Sequence, residues 1–242
     1  MIKITIGIVN RNNKNLLFSL LKSIFKNKPS KNFEVIVIDN YSSDSSVEMI
    51  EDNFKKVKII QNSENLGWAK AANIIIEKSV GEYVLFLNED MVIIENCIDT
   101  LSDFLDKHPH VVSVSPKLLN EDMTIQIHDT SHFPPKFTEM LLNKLRIKRK
   151  MPTYNKTEKV SYAIGAGMYR RQALLDIGLI DTDYYMFGED IDIGYRLMKK
   201  GWQSYFVPDS KIIHYGSQGT RKNKDDRIAM KYKLRALKGI LL

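Results

Sequence analysis

Four short apolar runs, each ending in polar residues and each followed by a stretch of helical period, constrain the fold of this chain more than any other feature. Lys3 to Val9 carries Ile4, Ile6 and Ile8 in alternation with Ile2 before them, Phe33 to Ile38 is almost wholly apolar, and Val57 to Ile60 and Tyr83 to Leu87 repeat the theme. Between them, Leu16, Leu17, Leu20, Leu21 and Ile24 recur at helical spacing. Val47, Ile50 and Phe54 do the same behind Ser45 and Glu48, which have the spacing of a capping box. Asn65-Leu-Gly-Trp68 opens a third helix that runs through Ala69 to Glu77. Strand and helix alternating in this way predict an α/β fold, a Rossmann-like, mostly parallel central sheet flanked by helices. Parallel strands joined by crossovers all deliver their C-terminal residues to one edge, where open α/β sheets bind ligands.

The residues that reach this edge are chemically varied. The first strand delivers Val9 to Arg11, the second Asp39, the third leads to Asn65 and Lys70, and the fourth delivers Asn88, Glu89 and Asp90. Taken alone, Asn88 to Asp90 is equally a polar turn closing a core strand. Together, however, the set suits a nucleotide. Asp39 can accept hydrogen bonds from a base or ribose, Lys70 near a helix start can meet phosphate, and Asp90 can bridge to phosphate through a hard cation. Neither a Gly-x-Gly-x-x-Gly nor a Gly-x-x-x-x-Gly-Lys occurs, which speaks against classical dinucleotide and P-loop sites.

The second half is less periodic. Ile94 to Leu105 has the pattern of a helix and Val111 to Val114 that of a strand, but Asn120 to Lys159 has no strong period and is too long for an ordinary connection, as expected of a binding or mobile segment. His108, His110, His128 and His132 show no metal-site spacing and are expected to be plain surface or loop histidines. Val160 to Tyr169 is expected to be a strand with gaps at Gly165 and Gly167, where backbone or ligand can approach closely. Glu189 and Asp190 follow Tyr184-Tyr-Met-Phe187 and precede Ile191, Gly194, Tyr195 and Met198, so they open a helix at its positive end. The pair is either N-terminal charge decoration or a carboxylate base tuned by the aromatic run. Trp202 to Val207 and Lys211 to Ile213 are two further expected strands, the second closed by His214.

Composition sets the remaining bounds. At 242 residues, without a Pro/Gly/Ser-rich linker, the chain is expected to form one large domain. The single Cys97 excludes an internal disulfide and a cysteine-based zinc cluster, consistent with a reducing compartment. No apolar targeting segment precedes the first strand and no run of 18 apolar residues occurs, so the expectation is a cytoplasmic protein. The net charge of +7 is uneven: Lys136 to Lys150 holds six basic residues and one acidic, and Arg221 to Leu242 holds eight basic and two acidic, which leaves the body net negative. In the last segment Met230, Leu234, Leu237 and Leu241 share one helical face flanked by Lys231, Lys233, Arg235 and Lys238. That pattern fits either an interfacial helix making peripheral contact with the inner face of a membrane or a final helix packed on the domain.

The ordered set Thr5-Ile-Gly-Ile-Val-Asn-Arg-Asn12, Val37-Ile-Asp-Asn40, Glu64-Asn-Leu-Gly-Trp-Ala-Lys70, Leu87-Asn-Glu-Asp90, Gly165-Ala-Gly-Met168, Gly188-Glu-Asp190 and His214-Tyr-Gly-Ser217 resembles the family 2 glycosyltransferases of GT-A fold over the chain up to about Arg221. The resemblance implies a single GT-A domain over 1–220, with a nucleotide-sugar-binding half (1–118) and an acceptor-binding half (119–220), followed by a basic amphipathic helix over 221–242. It implies an inverting transfer of a sugar from a nucleotide-diphosphate donor to an acceptor hydroxyl of a glycan or lipid-linked acceptor in polysaccharide or glycan biosynthesis, assisted by Mn²⁺ or Mg²⁺. Asp39 matches the family's base-binding aspartate, and Asp90 the last residue of its Asp-x-Asp metal motif. His214 matches a histidine near the donor phosphates that can ligate the metal. Asp190 matches the catalytic base, with Glu189 positioning the acceptor. Val9, Arg11, Asn65, Lys70 and Asn88 complete the expected donor site. Asn88 departs from the motif's first aspartate in a form similar to the rhamnosyltransferase branch, although Pro more often fills the place of Glu89. The implied donor is dTDP-rhamnose or a UDP-sugar.

Two rival readings are a sugar-phosphate nucleotidyltransferase and a non-enzymatic basic binding module. The first resembles a Gly-rich loop after the first strand, and Asn10-Arg-Asn-Asn13 has no glycine. The second uses the two positive segments but gives Asp90, Asp190 and His214 no work, and no nucleic-acid partner is expected.

Overall fold

The computed structural model describes residues 1–126, 154–163, 165–184 and 188–216. Its strands are β1 (Ile4–Asn10), β2 (Phe33–Asp39), β3 (Val57–Gln61), β4 (Tyr83–Asn88), β5 (Met91–Ile93), β6 (Val111–Leu119), β7 (Glu158–Val160), β8 (Met168–Arg170) and β9 (Gln203–His214). The described helices are α1 (Lys14–Lys26), α2 (Ser46–Asn53), α3 (Trp68–Lys78), α4 (Cys97–Lys107), α5 (Arg171–Asp176) and α6 (Glu189–Lys199). The strands form one sheet in the order β3-β2-β1-β4-β8-β6-β9-β5, with β7 also pairing β9. The first four are parallel, as the alternation demands, while β8 is antiparallel to both β4 and β6, and β9 returns parallel to β6.

The period-two side-chain pattern sorts the core into two layers. Ile4, Ile6 and Ile8 of β1, Val35 and Val37 of β2, and Leu85 and Leu87 of β4 pack with Leu17, Leu20, Leu21 and Ile24 of α1 and with Ile98, Leu101 and Leu105 of α4. Ile36, Ile38, Val84 and Phe86 face the other way, onto Ala71, Ala72, Ile75 and Ile76 of α3. Burial on both faces explains the near-continuous apolar runs of β2 and β4. On β1 the α3 side reads Thr5, Gly7, Val9, and a Cβ on Gly7 would stand 2.5 Å from a methyl of Ile75, so the missing side chain is what lets α3 close on the sheet.

Several elements differ from the sequence reading. The Ser45–Glu48 capping box does not form. Ser45 is left-handed (φ 60°) without a side-chain cap bond, and Asp44 accepts instead from the Ser46 amide (3.1 Å) and hydroxyl (2.5 Å). Val160 to Tyr169 is not one strand but β7 and β8 with a loop between, because β7 pairs β9 whereas β8 inserts between β4 and β6. The two strands expected after Trp202 are a single β9 with an irregularity where Pro116 and Lys117 pair Val207 and Lys211. In α6 the buried positions are Ile193, Gly194 and Leu197, whereas Met198 is exposed, so the core face lies one position off the expected one. Strand β5 and helix α5 carry too few residues for a period to show.

Lys136 to Lys150, His128, His132, Tyr185 to Phe187 and the amphipathic segment from Arg221 to Leu242 lie outside the described residues. Among the described residues, no helix is long and apolar enough to cross a membrane.

Candidate active site

The register makes the strand ends level. Asn10 of β1 pairs Asp39 of β2, Asp39 pairs Gln61 of β3, and Val9 pairs Asn88 of β4, so the carboxyl edge is one continuous rim. Asp39, only 3% exposed, accepts from Asn10 Nδ2 (3.2 Å) and from the Ser42 amide (3.0 Å). Ser42 Oγ in turn accepts from Asn10 Nδ2 (3.2 Å) and the Asn12 amide (3.0 Å), and Asn12 Oδ1 accepts from the Ser43 amide at 2.8 Å. These bonds stitch the loops after β1 and β2 together. They hold the Asp39 carboxylate in one orientation at the rim.

Asn40 performs the same service for the loop after β3. Its Nδ2 donates to Asn65 Oδ1 (2.8 Å), and its Oδ1 accepts from Asn62 Nδ2 (3.1 Å) and the Leu66 amide (3.0 Å). Asn65 Oδ1 also accepts from the Gly67 amide (3.1 Å), so this oxygen shapes the approach to α3. Gly67, at φ 78°, makes the turn into the helix, and Lys70 stands exposed in its first turn. Arg11 is exposed beyond β1, and Val9 is partly buried against the α3 layer.

The third feature joins distant parts of the chain. β5 pairs antiparallel with β9 so that Met91 faces His214, and the Tyr215 amide donates to the Asp90 carbonyl at 2.9 Å. This pairing brings His214 Nε2 to 3.3 Å from Asp90 Oδ1. Asp90 Oδ1 is buried and receives no hydrogen bond, whereas His214 Nδ1 lies 2.6 Å from Gln126 Oε1. Next to it, Glu89 accepts from Asn13 Nδ2 (2.5 Å), which ties the loop after β1 to the strand end. Burial pushes the Glu89 carboxyl above the usual carboxylate range and the Asp90 charge adds to this, against the opposing pull of a backbone hydrogen bond and of Asn13.

Glu189 and Asp190 open α6 behind Gly188, whose φ of 96° makes the turn into the helix. Their charges favour the positive end of the helix. Gly194 lets α6 lie against Ser161 and Tyr162, since a Cβ there would be 2.4 Å from Tyr162 Cβ and 2.8 Å from the Ser161 carbonyl oxygen. The Tyr169 hydroxyl is pushed well above its ordinary range by burial and then by the charges of Asp190 and Glu189. Trp68, Phe86 and Tyr169 form a chain of edge contacts with centroids 5.6 and 6.0 Å apart, running from the start of α3 across β4 to β8.

The structure therefore joins Asp39 to Asn10 and Ser42, Asn65 to Asn40, and Asp90 to His214, while Asp190 and Glu189 stand on their own helix. Among the described residues, no group of three or more His, Cys, Asp or Glu gathers as a metal cluster, and Asp90 and His214 are a pair. Ser42, Asn40, Asn13 and Gln126 were not singled out from sequence. Ser and Asn after a strand end are ordinary loop composition, and Gln126 falls in the stretch without period.

A family model described as glycosyl transferase family 2 matches residues 5–179. The N-acetylglucosaminyl-diphospho-decaprenol L-rhamnosyltransferase of Mycobacterium tuberculosis is 24% identical over 222 residues, covering 82% of this chain and 72% of that protein. The dTDP-rhamnosyl transferase RfbF of Shigella flexneri is 25% identical over 198 residues, covering 80% and 64%. Among solved structures, GalNAc-T7 with UDP, GalNAc and Mn²⁺ superposes with a TM-score of 0.72 at 19% identity, over 98% of this chain and 48% of its own. Staphylococcus aureus TarS does so at 0.68 and 19% identity, over 89% and 37%. At these identities the two structures establish the fold, which is GT-A. This chain spans less than half of either.

Proposed function

The chain belongs to glycosyl transferase family 2, and from this we propose that it transfers a sugar from a nucleotide-diphosphate donor to an acceptor hydroxyl with inversion, assisted by a divalent cation. The observation that carries the reading is the pairing of β5 with β9, which sets a buried, hydrogen-bond-free carboxylate oxygen of Asp90 against His214 Nε2 on the rim that also holds Asp39. The Asp90 carboxylate oxygen would suit a hard cation such as Mn²⁺ or Mg²⁺, and the imidazole nitrogen of His214 would favour Mn²⁺ of the two. When bound, the ion would supply counter-charge to the departing diphosphate.

In this reading Asp39 orients the base or ribose, while the exposed Lys70 in the first turn of α3 meets phosphate. Asp190 takes the proton of the acceptor hydroxyl as its oxygen bonds to the anomeric carbon. The bond from that carbon to the diphosphate oxygen breaks, and the nucleoside diphosphate leaves with the electron pair. Glu189 holds the acceptor. No covalent intermediate is required, since a single displacement inverts the centre.

The names of the relatives point to dTDP-rhamnose as the first donor to try and to a glycan or lipid-linked acceptor, and GalNAc-T7 was solved with UDP. Incubating the purified protein and Mn²⁺ with a panel of dTDP-, UDP- and GDP-sugars should show donor hydrolysis confined to one nucleotide class and dependent on the metal. Hydrolysis of none of them, or at equal rates with a chelator present, would refute the reading.

A further inference from the structure

We propose that Gln126 is a positioning residue that fixes the tautomer of His214 and so keeps Nε2 open toward Asp90 for a cation, an inference that rests on the metal-assisted reading above. The orientation of the Gln126 amide follows from its partners. Its Nε2 lies 3.2 Å from the backbone carbonyl oxygen of His214 and 3.1 Å from Asn120 Oδ1. A backbone carbonyl can only accept, so the nitrogen of the amide must face it. That leaves Gln126 Oε1 facing His214 Nδ1 at 2.6 Å, and an amide oxygen can only accept as well. The imidazole proton therefore resides on Nδ1.

The consequence falls on the other ring nitrogen. A neutral imidazole with its proton on Nδ1 presents a lone pair at Nε2, here 3.3 Å from a buried Asp90 oxygen that receives no hydrogen bond. With its proton on Nδ1, the ring leaves the Nε2 lone pair and the nearby carboxylate oxygen both available to a cation. Without Gln126, the opposite tautomer would carry its proton on Nε2 and remove the lone pair that a cation needs. Gln126 is itself held in place: its backbone N–H donates to the Leu118 carbonyl at 2.9 Å, beside the bridge between Leu119 and Ile125. Asn120 is anchored in turn by donating to Thr124 Oγ1 at 2.9 Å.

The test reads the tautomer directly. In metal-free protein labelled with ¹⁵N-histidine, long-range proton–nitrogen correlations should show the proton of His214 on Nδ1, its signals identified by their loss in His214→Asn. Gln126→Met should move the proton to Nε2 and, in the presence of whichever of dTDP and UDP the wild type binds, weaken Mn²⁺ binding by roughly 10- to 100-fold, the usual range for a lost outer-shell partner. Gln126→Glu keeps an acceptor opposite Nδ1 and should retain the tautomer, with a smaller loss of Mn²⁺ affinity than Gln126→Met. A wild-type proton on Nε2 overturns the role of Gln126 while leaving the function reading intact, and this measurement needs no variant of Gln126 to fold. Equal losses in Met and Glu variants with the tautomer unmoved would make Gln126 a scaffold residue and overturn the proposal. The Nδ1 tautomer without any Mn²⁺ binding overturns the cation half, and the metal-assisted reading with it.

Discussion

Replacing Gly194 by alanine separates helix propensity from packing, because the two predict opposite signs. In a helix interior Ala is favoured over Gly by about 1 kcal/mol, so propensity alone makes Gly194→Ala stabilising. The structure predicts the reverse: the new Cβ would lie 2.4 Å from Tyr162 Cβ, 2.8 Å from the Ser161 carbonyl oxygen and 3.0 Å from Tyr162 Cα. Optimal carbon contacts are about 3.5–4.0 Å, so the neighbours must separate by roughly an ångström. Two of the three colliding atoms are backbone and cannot swing aside. Overpacking costs about 1–3 kcal/mol, and with backbone in the way the upper part of that range applies, leaving a net loss of about 1–2 kcal/mol after the propensity gain. At roughly 2–4 °C per kcal/mol for a domain of this size, thermal unfolding should fall by about 2–8 °C. The same displacement carries Glu189 and Asp190, and a shift of about 1 Å in a reacting group can cost on the order of 10²-fold in rate. Calorimetry and transfer kinetics on one preparation check both parts. A variant that melts higher than wild type and keeps its turnover would refute the packing argument.

Three further outcomes follow from particular groups. Asp190→Asn keeps the shape and removes the proposed base, so nucleotide affinity should survive while transfer falls by roughly 10²–10⁴-fold; near-normal transfer, with Glu189→Gln inactive, would exchange the two roles. Asp90→Ala should abolish the gain in UDP affinity that Mn²⁺ confers, measured by titration calorimetry, and equal affinity with and without Mn²⁺ in the wild type would sink the idea. At the opposite edge of the sheet, burial raises the Asp106 carboxyl, but Lys3, Lys31 and Tyr83 outweigh it and hold the group well below the carboxylate range. Its folded value lies under the unfolded one of about 3.9, so its contribution is complete above that pH and is lost as pH falls through the folded value. Asp106→Asn should therefore lower stability at neutral pH and flatten the acid limb of a denaturation profile; a profile parallel to wild type down to the acid transition would count against it.

Much of the first half was legible because its information is local. The alternation of Ile4, Ile6 and Ile8, the apolar runs of β2 and β4 and the helical spacing of Leu17, Leu20, Leu21 and Ile24 are properties of neighbouring residues, and hydrophobic burial turns them directly into elements. Once four strands are parallel, geometry alone brings Asn10, Asp39 and Asn88 level, so that part of the rim is legible in the sequence. What lay beyond reach was every feature whose cause is a partner far along the chain. Strand β5 is too short to carry a period and exists because β9 pairs with it. That same pairing makes Asp90 and His214 neighbours. Asp44 displaces Ser45 as the cap of α2 because the loop that holds it is tied to Lys14, whose amide donates to Asp44 at 2.8 Å. Gln126 has no periodic or motif signal at all: a polar side chain acquires its meaning from the acceptor or donor set against it. Hydrophobic pattern is written along the chain and fixes layers and edges, whereas the role of a polar group is decided only when tertiary packing chooses what it faces.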